Sequence, residues 1–285
     1  MVLPADTHVH SEYSWDTGGP TSRTAVGTME RTCARAVQIG LPTVVFTDHL
    51  ECTGWMAAPE DFLEHLRPLI DADGLMQPPP MDVEGYFQSI ERCRRDFPDL
   101  HILTGVEFGQ PHLDGPAAAT MIDLSALDRV NGSLHTLPFR GNRSEPPTLF
   151  RELSDPAEVV WTYLTEVLRM VDGGGNFEVF THIDYAARHW PTEKHGPFDH
   201  SPFEDGFRQA MRAIAVSGRA LEMNTSRPVR PWIPQWWAEE GGRAVSFGSD
   251  DHNTIGLAAN FPEATALLDH FGFRPGRRPE DFWTR

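Results

Sequence analysis

Seven short apolar segments are spread along the chain, and each gives way to His, Asp, Glu or Asn. That regularity limits the folds open to it. The segments are VLPADTH at 2–8, LPTVVFTD at 41–48, HILTGVEF at 101–108, DRVNGSLH at 128–135, FEVFTHI at 177–183, RALEMN at 219–224 and RAVSFGSD at 243–250. Between them, stretches at 22–39, 83–95, 155–171, 204–217 and 260–270 place apolar residues near helical spacing. Strand and helix in repeated alternation predict parallel strands joined by crossovers, an α/β fold. Thr21 or Ser22 is a candidate cap for the first helix, and Ser154-Asp155-Pro156 opens another with Pro in the first turn.

The seven segments end in His8 and His10, Asp48 and His49, Glu107, His135, His182 and Asp184, Glu222 and Asn224, and Asp250 and His252. In a barrel all C-terminal strand ends meet on one face, where barrel enzymes keep their chemistry. His8 and His10 also share a face of an extended segment, so the two imidazoles can reach one ion. A single H-x-H is weak evidence for a metal, and the remaining clusters carry the argument. The segments PFRGNRSEPPT, AARHWPTEKHGPFDHSPF and TSRPVRPWIPQWW read as long loops, either surface connections or walls of a binding site.

The 285 residues fit one large α/β domain, taken here as 1–285, and no stretch is apolar enough to span a membrane. No secretory leader is evident, and Cys33, Cys52 and Cys93 show no C-x-x-C spacing. A cytoplasmic protein with reduced thiols is expected. A net charge of -17 disfavours nucleic acid as the main partner, because that binding draws its affinity from Lys and Arg. It does not disfavour a small anion at a site whose bound cations reverse the local sign. No oligomeric state is predicted.

In order along the chain, DTHVHS, FTDH, GVEF, GSLH, THID, LEMNTS and GSDDH resemble the polymerase and histidinol phosphatase (PHP) family over residues 6–252. The resemblance implies a distorted (β/α)7 barrel with the metal site at the C-terminal ends of the strands. It also implies three divalent transition-metal ions, zinc, manganese or iron. His8, His10, Glu107 and Asp250 would hold the first ion, Glu107, His135 and His182 the second, and Asp16, His49 and His252 the third. Glu107 would bridge, and Glu107, Asp250 and His252 would be the catalytic residues among them. Asp16 stands where many members have His, and as a harder ligand it favours manganese or iron there. Asp6 and Asp48 are expected to support ligating imidazoles. Glu222 and Asn224 are open between that role and plain structural pairing. His65, His101, His112, His195, His200 and His270 fall outside the motifs.

Clustered divalent ions clamp phosphoryl oxygens, acidify a bound water and orient an in-line attack, so hydrolysis of a small phosphate ester by metal-bound hydroxide is expected. No activated Ser or Cys nucleophile is evident. Amide or lactone hydrolysis is the competing chemistry, and arginine separates the two because a guanidinium fits phosphate bidentately. The resemblance implies a phosphate-binding Arg188, followed here by His189 where relatives often have Tyr, and Arg227 or Arg230 as a second arginine at a spacing altered by RPVRP. L-histidinol phosphate is the leading substrate; another phosphorylated metabolite, such as a nucleotide, phosphosugar or specialised metabolite, is the alternative. A non-catalytic metal-binding regulatory module is the weaker third reading. Trp232, Trp236 and Trp237 are expected to be core residues rather than pocket lining.

Overall fold

The computed structural model of the protein describes residues 3–18 and 26–285. A curled eight-stranded sheet runs in the order β1 (Asp6–Val9), β2 (Thr43–Leu50), β3 (His101–Gly109), β4 (Arg129–Ser133), β5 (Val179–Phe180), β6 (Ala220–Asn224), β7 (Ala244–Gly248) and β8 (Trp283–Thr284). Neighbours from β1 to β7 pair in parallel, and β8 joins β7 antiparallel. Beyond β7 the chain meets β1 again: Val9 bridges Asp251 in parallel, and the Asp250 amide donates to the His8 carbonyl at 2.8 Å. This is a mixed α/β fold whose first and seventh strands are brought edge to edge.

Helices at Met29–Ile39, Val83–Asp96, Pro156–Asp172, Glu204–Val216 and Phe261–His270 occupy the expected crossovers. The candidate caps Thr21 and Ser22 lie outside the described residues. The first helix begins later, with Thr28 accepting from the Arg31 amide. At the other predicted start, Asp155 accepts from the Ala157 amide and Pro156 occupies the first turn, where its missing N–H costs nothing. Cys33 and Cys93 are buried in the first two of these helices and Cys52 is half-buried. None of the helices among the described residues is long and apolar enough to cross a membrane.

Three long segments read as loops contain more structure than their sequence suggests. Leu137–Phe139 and Asn142–Ser144 form a hairpin in a second, four-stranded sheet with Trp55–Met56 and Leu75–Met76, and Pro146–Glu152 follows as a helix. Strands of two or three residues are too short for any period to show. The segment 186–203 holds the short helix Thr192–His195 and the end of another, Tyr185–Arg188. Trp232–Glu239 is helical despite Pro234, because the first turn of a helix leaves its N–H groups unbonded anyway. That helix buries Trp232, Trp236 and Trp237 in the core, as expected; Trp232 and Trp236 pack with ring centroids 4.7 Å apart.

Tyr86, on the helix Val83–Asp96, fastens that layer to the sheet. Its fully buried hydroxyl donates to the carbonyls of Phe46 and Gly105 at 2.9 and 3.0 Å and receives the Gly105 amide at 2.8 Å. Tyr86→Phe is therefore expected to cost about 1–3 kcal/mol in denaturant unfolding, since it strands a buried amide without an acceptor. A change below about 0.5 kcal/mol would show that those backbone groups are satisfied without the hydroxyl.

Candidate metal centre

The strands converge on the carboxylate of Glu107, itself 1 % exposed. His49 pairs with Glu107 in the β2–β3 register, so both side chains leave the same face of the sheet. His8 sits in β1, His10 one residue past it, and His135, His182, Asp250 and His252 lie just beyond β4, β5 and β7. Asp250 turns back toward β1 through a left-handed backbone (φ 57°), a conformation Asp tolerates better than most residues.

Five imidazoles surround Glu107. Its Oε2 lies 3.2 Å from His8 Nε2, 3.3 Å from His10 Nε2 and 3.0 Å from His49 Nδ1. Its Oε1 lies 3.1 Å from His135 Nε2 and 2.9 Å from His182 Nε2. Asp250 Oδ1 approaches His10 Nε2 at 3.2 Å and His8 Nε2 at 3.6 Å. Asp16 Oδ2 faces His252 Nε2 at 3.0 Å and His49 Nε2 at 3.6 Å, so His49 spans the space between Asp16 and Glu107. All nine candidate ligands are thus gathered at one place. Four overlapping sets have donor atoms within 4.8 Å of one another: His8, His10, Glu107 and Asp250; Glu107, His135 and His182; His10, His49 and His252; and His49, Glu51 and His135.

The donors fit cations better than they fit one another. His8 and His10 aim their Nε2 atoms at each other across 3.1 Å. Among the described residues, Glu107 Oε2, His49 Nδ1, His252 Nε2 and Asp16 Oδ1 are buried without a hydrogen-bond partner. Buried polar atoms rarely stay unsatisfied, and a convergent set of imidazole and carboxylate donors suits zinc, manganese or iron. The charges respond accordingly. Burial opposes ionisation of Glu107, yet the surrounding imidazoles of His8, His135 and His49 hold its carboxyl well below the usual range. Burial lowers His135 and His252, but Glu107 with Glu51 raises the first to about 10 and Asp16 raises the second to about 9.

Behind the donors stands a layer of carboxylates and hydroxyls. Glu222 Oε1 lies 2.5 Å from His8 Nδ1, and its Oε2 accepts from the His182 amide at 2.9 Å and from the Asn224 side chain at 3.2 Å. Asn224 also donates to Asp250 at 3.2 Å. Asp48 receives the Ser14 hydroxyl at 2.8 Å, and that oxygen sits 2.8 Å from His10 Nδ1. Asp6 instead holds backbone, accepting from the Ser249 and Ala258 amides. Glu51, not singled out from the sequence, lies 2.7 Å from His135 Nδ1, and Ser133 donates to Glu107 Oε1 at 2.5 Å. Gly248 makes room for this layer, since a Cβ there would collide with Glu222 and His8.

The arginines assemble beside the donors. Arg188 donates through Nε to Asp184 at 2.8 Å and through Nη1 to Asn224 at 3.1 Å. Arg230 approaches the other Asp184 oxygen at 3.7 Å, whereas exposed Arg227 donates to the Arg188 carbonyl. His189 lines the cleft over the donors, and burial with the adjacent Arg188 charge lowers it to about 4, so its ring is neutral near pH 7. His65, also outside the motifs, places Nε2 3.0 Å from the Asp16 carbonyl. The cleft has a volume of about 280 Å³ and adds Trp15, Phe62, Leu66, Glu145 and Tyr185 to the donors. The tryptophans at 232, 236 and 237 are not among its lining.

The PHP domain family profile matches residues 6–226, and the chain belongs to that family. It is 24 % identical over 277 residues to the histidinol-phosphatase of Lactococcus lactis subsp. lactis, covering 94 % of this chain and 91 % of that protein. A crystal structure of histidinol phosphate phosphatase from the same organism, complexed with zinc, L-histidinol and phosphate, has the same fold. Its TM-score is 0.72 at 22 % identity, over 96 % of this chain and 95 % of that one.

Because His135 and His252 keep their protons to about 10 and about 9 without metal, cations must displace them. Neighbouring carboxylates also push His8 and His49 well above the ordinary histidine value, so titrating the metal-free protein with zinc near pH 7.5 is expected to release at least the two protons of His135 and His252, and zinc affinity is expected to fall as the pH is lowered. Calorimetry in buffers of different ionisation enthalpy reads this directly. Zinc binding without proton release would contradict the assignment of these histidines as ligands.

Proposed function

We propose that the chain is a metal-dependent phosphomonoesterase that hydrolyses L-histidinol phosphate or a closely similar small phosphate ester. The observation that carries this reading is Glu107, one oxygen of which faces His135 and His182 while the other faces His8, His10 and His49. A carboxylate so divided is suited to bridging ions. The Lactococcus relatives, which bear the histidinol phosphatase name and bind zinc, L-histidinol and phosphate, support the substrate.

In this reading residues 1–285 form one domain, a distorted (β/α)7 barrel closed where β1 meets the end of β7. Three divalent transition-metal ions are held by His8, His10, Glu107 and Asp250, by Glu107, His135 and His182, and by Asp16, His49 and His252. Bound there, they supply Lewis-acid clamping of phosphoryl oxygens and an acidified water. The chain supplies orientation. Glu222, Glu51 and Ser14 fix the rings of His8, His135 and His10 by contacts at their outward Nδ1 atoms. Arg188 is held by Asp184 and Asn224 at the edge of the donor cluster, where its guanidinium meets the substrate phosphate. Arg230 and Arg227 flank it, and neutral His189 offers a hydrogen bond from the cleft wall.

Phosphate release by zinc-loaded protein across a panel of small phosphate esters tests the reading, with L-histidinol phosphate expected as the best substrate. Glu107→Gln should lose more zinc and more activity than Asp16→Asn, because it supports two ions. Arg188→Ala should lower kcat/KM by about 10²-fold, equivalent to about 3 kcal/mol, with zinc content unchanged. No phosphate release from any ester would overturn the proposal, and normal kinetics in Arg188→Ala would remove the arginine from it.

A further inference from the structure

Five acidic residues line the cleft: Asp16, Glu51, Glu107, Glu145 and Asp250. Four face imidazoles, Asp16 at His252 (3.0 Å), Glu51 at His135 (2.7 Å), Glu107 at His182 (2.9 Å) and Asp250 at His10 (3.2 Å). Glu145 differs. Among the described residues its carboxylate has neither a hydrogen-bond partner nor an ion pair, although the residue is half-buried in the cleft wall. Withdrawing a carboxylate from water is unfavourable, and burial, with Glu51 and Asp61 nearby, pushes this one up to about 7 against the charges of His135 and His49.

The backbone around Glu145 is firmly held. The Ser144 hydroxyl donates to the Met56 carbonyl at 2.7 Å. Arg143 donates to the Thr136 hydroxyl at 2.9 Å and to the buried Glu166 at 3.0 Å. On the far side, Thr148 and Arg151 both donate to Asp61 at 2.5 Å, tying the helix that Glu145 precedes to the turn that leads into Phe62. The carboxylate is therefore presented from a braced wall. The cleft it faces mixes charged donors with an aromatic and apolar lining of Trp15, Phe62, Leu66 and Tyr185, and the Tyr185 ring lies 5.3 Å from His135 and 5.0 Å from His182.

A negative group here is unfavourable for a phosphate on its own. It becomes favourable when the substrate carries a positive charge away from its phosphate, with aromatic faces nearby to receive a flat or cationic group. We propose that Glu145 is a specificity-determining residue that binds the cationic part of the leaving alcohol, an ammonium or a protonated imidazole, while the metal donors take the phosphate. This rests on the phosphatase reading above and adds to it a residue that selects the leaving group. Neutral and anionic leaving groups are disfavoured by the same carboxylate.

The test is calorimetric binding of L-histidinol, and separately of inorganic phosphate, to zinc-loaded wild type, Glu145→Gln and Glu145→Asp. Glu145→Gln is expected to weaken L-histidinol binding by about tenfold or more relative to phosphate binding, as for losing one charged hydrogen bond, and Glu145→Asp to retain much of the preference. In turnover, the kcat/KM ratio of L-histidinol phosphate to phenyl phosphate should fall by a similar factor in Glu145→Gln. Equal weakening of both ligands would mark a structural residue and overturn the proposal. So would an unchanged ratio, or a wild type that does not bind L-histidinol. Binding of L-histidinol through Glu145 without hydrolysis of its phosphate ester would sink the proposed activity and leave this inference standing.

Discussion

A single buried carboxylate, that of Glu107, sets the terms for the rest of the molecule. A carboxylate removed from water must be surrounded by positive charge or by donors, and this one meets five imidazoles and the Ser133 hydroxyl. Those partners come from β1, β2, β4 and the turn after β5, elements far apart in sequence. The curl of the sheet and the return of the chain to β1 after β7 are what bring them within reach. Fold and site are one constraint here, because a flatter sheet would leave Glu107 uncompensated.

Placing imidazoles is not enough, since each ring must turn the correct nitrogen inward. Glu222, Glu51 and the Ser14–Asp48 pair touch the Nδ1 atoms of His8, His135 and His10, which directs each Nε2 toward Glu107. This outer layer needs space, and Gly248 leaves it for Glu222 beside His8. His252 is half-buried, with Nδ1 2.9 Å from the Asp250 carbonyl and 3.9 Å from the Asp250 carboxylate, and lies at a more open edge of the cluster than fully buried His8 and His10.

Much of this was legible in the residues. Apolar runs that give way to a ligand-type side chain stand out because they follow each other at a readable spacing, and eight of the nine donors lie at or just past those ends, whereas Asp16 and the division of ligands among ions come from the resemblance to the PHP family. Glu222 and Asn224 could not be assigned, because their partners His8 and Asp250 depend on register and curl. Glu51 and Glu145 were missed for a different reason. Each is one glutamate among many in an acidic chain, and only the packing of Glu51 beside His135 and of Glu145 in the cleft wall distinguishes them. The four-stranded sheet was illegible because its strands are two or three residues long and drawn from distant segments. The helix at 232–239 was hidden by its prolines, which read as loop unless Pro234 is recognised as a first-turn residue.

The central claim is that Glu107 joins neighbouring ions rather than ligating one. X-ray absorption at the zinc edge of fully loaded protein measures this without reference to turnover. A metal–metal scattering distance of about 3.5–4 Å is predicted, as in carboxylate-bridged pairs, and it should vanish in Glu107→Gln. Zinc bound only in shells of nitrogen and oxygen, with no metal neighbour at full loading, would contradict the bridged centre.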